Sequence, residues 1–556
     1  MITTQIKAIL KTAASALCRM SSVLIVLSLT ACSLEEHPRD QIPEEKAYTS
    51  SKDIFQNTVA TLYSYIGGST DGQGLQGTCR GVYDLQTFGS DEAMLPTRGV
   101  DWFDGGIWLD MYRHSWGPDH DLVNKSWLYL YKVITLCNNS LKQIIAHQEK
   151  LSDAEFNRFT SEVRALRAIY YWYLLDLYGR VPLFSSFNAS VSEVRQYERR
   201  EVFDFVYSEL TDVYDDLSPE NSVVIDDYYG RVTRPVADFV LAKLMLNAEV
   251  YTDDNWTDNE RPDGSTMVFT VNGRKMNAWE ATIYYCERLK LSGFQLEDAY
   301  LSNFIVHNEN SKENIWVIPL DRDLYTHQQQ NLFRSYHYRH AAAYGFAGEN
   351  GSCATLRTLQ VFGYGTDEVD NRFDMNYWWG EVRDLNHKVV TDRAGNPLVY
   401  MPFEVKPTLN YGPYLETAGA RMKKYEIDRN AMQGGKLMDN DIVLFRYADV
   451  LLMRAEACLR NGDVAKGQTY FDAVRERAGM PRRPLTLENL LDERLLELCW
   501  EGWRRQDLIR FNQYESLFEG DEDYDKVNET DHHTIVYPIP ANALTLNPNL
   551  RQNAGY

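Results

Sequence analysis

The sequence has little of what most metalloproteins, common enzyme classes and nucleic-acid-binding proteins need. It has only eight cysteines, none in a CxxC pair, so a zinc site is not predicted and the scatter does not resemble a disulfide framework. It contains no GxSxG, HExxH, Walker or Rossmann glycine motif. It also lacks a basic block, and its net charge of −22 would be repelled by a nucleic-acid duplex. The acidity is compatible with a neutral ligand such as a sugar.

The chain also lacks an apolar run long enough to cross a membrane. Its longest candidate, VLIVLSLTA at 23–31, is shorter than the roughly 20 apolar residues of a transmembrane helix. Lys7, Lys11 and Arg19 precede it, and small residues end it. This pattern is typical of a secretory signal peptide that is removed on maturation, and we expect it to occupy residues 1–31.

The end of this leader predicts a lipid anchor. Residues 29–32 read LTAC, which resembles a bacterial lipobox in which Cys32 is lipidated and becomes the new N-terminus. Glu35 and Glu36 resemble the surface-export signal of Bacteroidetes lipoproteins, and 32–48 is expected to be a polar, lipidated tether. The alternative is an ordinary signal peptide with a chance cysteine. The lipobox predicts a lipid-anchored protein of the outer membrane that faces the cell exterior.

Several segments of the remaining chain show helical periodicity. In 161–178 an apolar stripe recurs at the 3.6-residue period, with Gly179 and Pro182 marking its end. A second stripe spans 442–461, and a short turn at Asn461-Gly462-Asp463 leads to another helix that ends at Gly479. This pair resembles a tetratricopeptide-type helical hairpin. Similar patterns occupy 51–66, 124–147, 201–216, 233–252, 277–291 and 487–500.

Between the helical segments, two long stretches lose periodicity and are rich in glycine, asparagine, aspartate and aromatic residues. They cover about 67–123 and 300–440. Loops of this length inside a folded protein usually carry function. We therefore predict a mostly α-helical domain over 49–556. Its scaffold of helical hairpins would occupy about 49–300 and 440–556, and the two irregular insertions would face the ligand.

Four segments together resemble one protein family. They are RALRAIYYWYLLDLYGRVPL at 164–183, RYADVLLMRAE at 446–456, ERLLELCWEGWRRQDLIR at 493–510 and PIPANALTLNPNLRQNAGY at 538–556. With the lipobox and VRERAG at 474–479, they are similar, in order and over nearly the whole mature chain, to the SusD/RagB family of Bacteroidetes outer-membrane lipoproteins.

Most of these motif residues have the spacing of structural ion pairs. Charged side chains recur three and four residues apart on a helix and at its exit, so they are expected to pair with one another and to cap neighbouring backbone groups; they are Arg494, Glu497, Glu501, Arg504, Arg505 and Asp507. The alternative is a catalytic dyad of Glu497 and Glu501. The surrounding arginines argue against it, because a general acid needs a raised pKa.

The resemblance implies a role without catalysis and without a cofactor. SusD-like proteins bind oligosaccharides at the cell surface and act as a hinged lid on a SusC-like TonB-dependent outer-membrane transporter. RagB-type members do the same with peptides, which is the first alternative for this chain. The second alternative is a surface glycoside hydrolase, for which clustered acids such as Asp91, Glu92, Asp101 and Asp104 would have to supply the catalytic pair.

The densest candidate for a glycan site is 90–116, SDEAMLPTRGVDWFDGGIWLDMYRHSW. A neutral glycan is bound by aromatic planes together with acidic, amide and guanidinium groups, and this segment supplies all of them except the amide. Trp102 is the leading candidate, since the family commonly places a ligand aromatic in this part of the chain. The other predicted ligand residues of this segment are Asp91, Arg98, Asp101 and Trp108, and Asp84, upstream of it, is predicted to line the same pocket. The alternative for the tryptophans is packing against the scaffold.

Two further clusters lie in the second insertion. The segment 325–346 mixes aromatics with amides, and Tyr325 and Tyr336 are its predicted ligand residues. Trp378 is a third candidate; it is adjacent to Trp379, and neighbours on a strand face opposite ways, so only one of the pair should meet ligand. The histidines of the first cluster fit no metal motif, and DEVDNRFD at 367–374 lacks the glycine and final glutamate of an EF-hand loop. No metal is expected.

Overall fold

The computed structural model describes residues 44–67, 73–76, 79–185, 193–325, 332–516 and 529–556. The predicted signal peptide, Cys32 and most of the tether lie outside these ranges. The chain divides into two compact units, 1–49 and 50–556. In the first, the described structure is a short helix, Glu44–Ala47. All that follows concerns the second unit. No helix in its described part has the length and apolar character needed to cross a membrane.

Helices are the main regular structure of the described residues and strands are few, as predicted. After a short helical stretch covering Ser51–Ile54, Phe55–Ala60 and Thr61–Tyr63, the helices used below follow in chain order. They are α1 Val82–Thr87, α2 Ile107–Arg113, α3 Asp121–Ala146, α4 Asp153–Tyr178, α5 Arg199–Val213, α6 Arg234–Leu246, α7 Ala278–Leu291, α8 Tyr338–Ala343, α9 Leu356–Val361, α10 Tyr447–Arg460, α11 Val464–Arg477, α12 Leu487–Leu498, α13 Arg504–Arg510 and α14 Ala541–Leu546.

The longer helices pack side by side as hairpins. Helix α3 packs on α4 and α4 on α5, while α6 packs on α7, α7 on α10 and α10 on α11. Ser152 and Glu155 form a capping box at the start of α4, and Gly179, with φ of 68°, ends it. From Ser161 onward nearly every residue of α4 is buried, so this helix is central to the scaffold. The predicted helical-hairpin architecture is confirmed.

One predicted helix begins later than expected. Residues 442–446 were included in the helical stripe, but Ile442–Arg446 is a strand, and α10 begins only at Tyr447. The strand is antiparallel to Asn314–Ile318, and all five of its residues are buried. A short apolar run that is buried on both faces has no diagnostic period, so the sequence could not separate it from the helix that follows.

The two loop-rich insertions are joined by short strand pairs. We number the strands in chain order; the pairs used below are β1 Ala93–Met94 with β8 Cys353–Ala354, β2 Thr97–Arg98 with β12 Thr408–Leu409, β9 Tyr377–Trp378 with β13 Arg421–Met422, and β7 Asn314–Ile318 with β14 Ile442–Arg446. The remaining two-stranded pairs are β3 Val181–Pro182 with β4 Gln196–Tyr197, β5 Phe269–Val271 with β6 Arg274–Met276, and β10 Gly380–Glu381 with β11 Val399–Tyr400. The first two pairs connect segments more than 250 residues apart, so both insertions contribute to one surface.

A buried network of ion pairs links α12 and α13 to the rest of the unit. The Arg446 guanidinium contacts the carboxylates of Glu313, Glu497 and Glu501, and all four side chains are fully buried. Arg494 pairs with Asp449 and Asp507 in the same way. The prediction that the motif charges are structural is therefore confirmed.

The Glu497 carboxylate also has the wrong protonation behaviour for a general acid. Burial alone would raise its pKa, but the neighbouring guanidinium groups of Arg477, Arg446 and Arg372 outweigh burial and hold the pKa well below its ordinary value. The group stays ionised and paired, which argues against a catalytic dyad with Glu501.

Candidate functional site

The loop between β2 and α2 has a strained backbone. Gly99, Gly105 and Gly106 have positive φ, and so do two residues with side chains, Trp102 at 59° and Asp104 at 42°. A bulky residue rarely adopts the left-handed region, and such residues concentrate at ligand-binding sites. We refer to residues 99–106 as the Trp102 loop.

Three contacts hold the Trp102 loop in place. The Trp102 indole Nε1 donates to the Glu349 carbonyl oxygen at 2.7 Å. The Tyr338 hydroxyl, at the start of α8, donates to Asp101 Oδ2 at 2.7 Å. On the other side, Asp104 accepts from the Arg80 guanidinium at 2.5 Å. The loop is therefore fixed by residues from both insertions, which offsets the cost of its backbone conformation.

The loop presents aromatic rings to solvent. Phe103 is 58% exposed and Tyr338 is 36% exposed, while Trp102 is half-buried. Beneath it, Trp108 is buried and meets Trp102 edge to face, with ring centroids 5.9 Å apart. Stacking against a rigid ring suits the flat C–H face of a sugar, because little side-chain entropy remains to be lost on binding.

Polar groups beside the rings are mainly hydrogen-bond acceptors. Burial, followed by the bond to Asp101, raises the pKa of the Tyr338 hydroxyl to about 12, so it remains a donor at neutral pH. Glu416 contacts His337 Nε2 at 2.9 Å, and burial lowers the pKa of this imidazole despite the carboxylate. Carboxylates and a fixed tyrosine hydroxyl can exchange hydrogen bonds with ligand hydroxyls.

Three charged residues predicted to bind ligand are instead structural. Asp91 forms a bidentate pair with Arg504 at 2.6 and 2.8 Å, and Asp84 pairs with Arg334 at 2.5 Å. The Arg98 guanidinium donates to backbone carbonyls, including that of Ala418 at 2.9 Å. All three predicted residues are buried. The structure corrects this part of the prediction, since the side chains are buried and both carboxylates are already paired inside the protein.

The predicted aromatic residues differ in solvent exposure, so some pack inside the protein and others reach its surface. Trp108 and Tyr336 are both 2% exposed, so they are not ligand surfaces in this structure. Tyr336 stacks on His340 and accepts a hydrogen bond from Trp378 Nε1 at 3.0 Å, which leaves Trp378 half-buried. Tyr325 is 39% exposed at the edge of the described range 193–325. Its role stays a prediction.

Sequence reasoning did not identify Phe103 or the Glu349 carbonyl as parts of this surface, and it did not single out Tyr338. Tyr338 lies within the predicted 325–346 cluster but was not distinguished from its neighbours. The signal lies around a short helix: Tyr336, two residues before α8, and His340 within α8 are buried, whereas Tyr338 faces solvent. Among the described residues, no group of three His, Cys, Asp or Glu side chains is placed to hold a metal ion.

Comparison with known proteins shows which family models and which relatives this chain resembles. A family model described as "SusD family" matches 312–556, and one described as "Starch-binding associating with outer membrane" matches 87–246. The chain is 26% identical to the starch-binding protein SusD of Bacteroides thetaiotaomicron over 481 residues, covering 80% of each chain. It is 24% identical to SusD-like protein P25 of Formosa agariphila, over 96% of this chain and 98% of that one.

Solved structures show the same fold. A laminarin-binding SusD-like protein superimposes with a TM-score of 0.67 at 20% identity, covering 92% of this chain and all of that one. Surface glycan-binding protein A from Bacteroides uniformis does so with a TM-score of 0.67 at 21% identity, over 91% and 100% of the two chains. Two family models over separate parts of the chain, relatives that cover 80% and 96% of it, and this shared fold all agree: the chain is SusD-like in sequence and in fold.

Proposed function

We propose that this protein is a cell-surface lipoprotein that captures oligosaccharides and delivers them, as a lid, to a SusC-like TonB-dependent transporter of the outer membrane. The observation that carries the binding part is the Trp102 loop. A strained backbone, fixed by hydrogen bonds from Tyr338 and to Glu349, holds an aromatic surface beside acidic groups.

The relatives support a carbohydrate ligand. The names of several similar proteins specify starch, laminarin or glycans, and one neighbouring structure was solved with laminarihexaose. The surface in this chain has the matching chemistry, with rings for C–H faces and acceptors for hydroxyls. One or two stacked sugars predict micromolar to millimolar affinity, which suits a protein that must release its cargo.

A role without bond cleavage is part of this proposal. Of the four clustered acids, Asp91 and Glu92 are buried, Asp101 accepts from Tyr338, and Asp104 accepts from Arg80. A glycosidase needs two carboxyl groups facing each other across the scissile bond, with one of them able to donate a proton. The described acids of this cluster do not supply such a pair.

The binding proposal is tested by native electrophoresis of the purified chain through gels containing starch, laminarin, xylan or galactomannan. We expect retardation in at least one gel, together with unchanged oligosaccharide chromatograms after prolonged incubation. Unretarded migration in all four gels, with binding to a peptide library, would instead favour the peptide-carrier alternative. Appearance of shorter sugars would contradict the non-catalytic role.

Anchoring and partnership need a cellular test. With wild-type protein we expect palmitate labelling, an outer-membrane location and co-purification with a TonB-dependent transporter. The Cys32→Ala variant should lose the label and the membrane location, while Cys18→Ala, in the same leader, should retain both. Equal behaviour of the two variants would contradict the lipobox prediction, and absence of a co-purifying transporter would contradict the lid role.

A further inference from the structure

We propose that a second exposed aromatic surface, formed by Tyr364, Trp379 and Phe403, binds glycan chains independently of the Trp102 loop. We call it the Trp379 platform. This inference rests on the proposed function and extends it, from one sugar site to two sites that a long polysaccharide can occupy together.

The platform consists of neighbouring rings that face solvent. Trp379 is 45% exposed and Phe403 is 57% exposed, with half-buried Tyr364 between them. The Tyr364 ring centroid lies 5.0 Å from that of Phe403 and 5.5 Å from that of Trp379. Large exposed aromatic clusters are uncommon on soluble proteins and mark binding surfaces.

The platform is held rigidly from below and from the side. Tyr364 packs on the buried Phe373 ring at 4.8 Å, and Trp379 Nε1 donates to Asp374 Oδ1 at 2.7 Å. The Phe403 ring lies over Gly365, where a Cβ would come within 2.8 Å of the ring and where φ is +85°. A side chain at position 365 would therefore displace the ring. Rings fixed in this way lose little entropy when a ligand binds.

The charges around the platform favour a neutral, hydroxyl-rich ligand. Asp374 and Glu368 are exposed nearby, and these carboxylates would repel an anionic ligand while accepting hydrogen bonds from hydroxyls. The adjacent cation, Lys423, is already engaged, since its Nζ donates to the Asp374 carbonyl oxygen at 2.6 Å. Aromatic faces beside acceptor oxygens repeat the chemistry of the Trp102 loop.

Different contacts build the two surfaces. Trp102 meets the Trp108 ring and donates to the Glu349 carbonyl oxygen. Trp379 meets the Tyr364 and Phe373 rings and donates to Asp374. A short oligosaccharide would then occupy one surface at a time, while a polymer would engage both and gain avidity.

The test compares polymer and oligosaccharide binding in Trp379→Ala and Phe403→Ala, each in the full chain. Leu128→Ala, which removes an exposed apolar side chain from α3, is the matched control. In native gels containing the polysaccharide that retards wild type, we expect each platform variant to weaken apparent affinity about threefold or more, by loss of avidity.

Trp102→Ala should remain partly retarded, and combining it with Trp379→Ala should abolish retardation. Thermal melts verify that each variant is folded. Trp379 and Phe403 are both exposed, so replacing either one should not disrupt the core.

The outcomes separate this inference from the proposed function. Wild-type retardation with unchanged migration of both platform variants would overturn the second surface and leave the glycan-binding function intact. Complete loss of retardation in Trp102→Ala alone would also overturn it. Wild type that no polysaccharide retards would contradict the proposed function itself, and the platform with it.

Discussion

At the scale of single residues, the hydroxyl of Tyr338 is a sensitive test of the Trp102 loop. It donates to Asp101 and thereby orders the loop from the second insertion. We predict that Tyr338→Phe lowers oligosaccharide affinity about three- to tenfold, since one hydrogen bond contributes roughly 0.5–1.5 kcal/mol. Tyr344→Phe is the control, because the Tyr344 hydroxyl donates to the Arg383 carbonyl, away from the loop. Equal affinities measured by calorimetry for the two variants would contradict the assigned role.

Burial, rather than residue type, separates structural charges from those that stay candidates for ligand binding. Asp91 and Asp101 lie ten residues apart in one polar, aromatic segment, and the sequence gives no reason to treat them differently. In the structure Arg504 pairs with Asp91, and Tyr338 pairs with Asp101. These partners are more than 230 residues distant, so local pattern could identify the segment but not the function of each acid.

The buried Glu497 carboxylate should be essential for stability. It contacts Arg446 at 2.6 Å and Arg372 at 2.9 Å, and a neutral amide would leave guanidinium charge uncompensated in the core. We predict that Glu497→Gln lowers the free energy of unfolding by about 3–5 kcal/mol. Glu476→Gln removes an exposed partner of Arg482 and should cost at most about 1 kcal/mol. Superimposable urea denaturation curves for the two variants would refute this distinction.

At the scale of secondary structure, the sequence predicted helices better than short strands. The stripes of α4 and α10 were recognisable because helix periodicity persists over several turns. Strand β14 was wrongly included in a helix, since five consecutive buried residues carry no period. Most other strands are two residues long and are defined by pairing with distant segments, which no local pattern encodes.

The crossing of α10 and α11 depends on a small residue. A Cβ at Gly467 would come within 2.7 Å of Leu485 Cδ2 and 2.9 Å of the Ala455 carbonyl oxygen. We predict that Gly467→Ala destabilises the fold by about 1–3 kcal/mol through overpacking, although alanine favours helix. Lys466→Ala, at the exposed neighbouring position, should be close to neutral. A higher melting temperature for Gly467→Ala than for wild type would contradict this prediction, because it would show that the structure accommodates the added methyl group without loss of stability.

At the scale of the whole molecule, the convergence of the two insertions is what forms the candidate site. Contacts such as Asp84 with Arg334, and Ala93 opposite Ala354, join segments about 250 residues apart. Composition indicated that both insertions carry function. The sequence therefore predicted that both would face the ligand, but which residues pair across such distances cannot be obtained from periodicity.

Global stability should depend on the pH through Glu92. Burial raises the pKa of this carboxyl to about 8, so the folded chain holds its proton where the unfolded chain, near 4.5, does not. Its stabilising contribution is complete below pH 4.5 and is lost as the pH rises through about 8. Glu92→Gln keeps an acceptor for the Trp500 amide. We predict that the free energy of unfolding of Glu92→Gln, measured relative to wild type by urea titration, increases from pH 5 to pH 8. The same difference between the two proteins at every pH would contradict the raised pKa.

The central claim is that the Trp102 loop binds neutral oligosaccharide, and calorimetry tests it most directly. The purified wild-type chain and Trp102→Ala would be titrated with maltoheptaose, laminarihexaose and other neutral oligosaccharides, with peptides as the control ligands. We predict micromolar to millimolar binding of one glycan class to wild type, and a loss of about tenfold or more in a Trp102→Ala variant that melts like wild type. An unchanged dissociation constant in the folded variant would contradict the account.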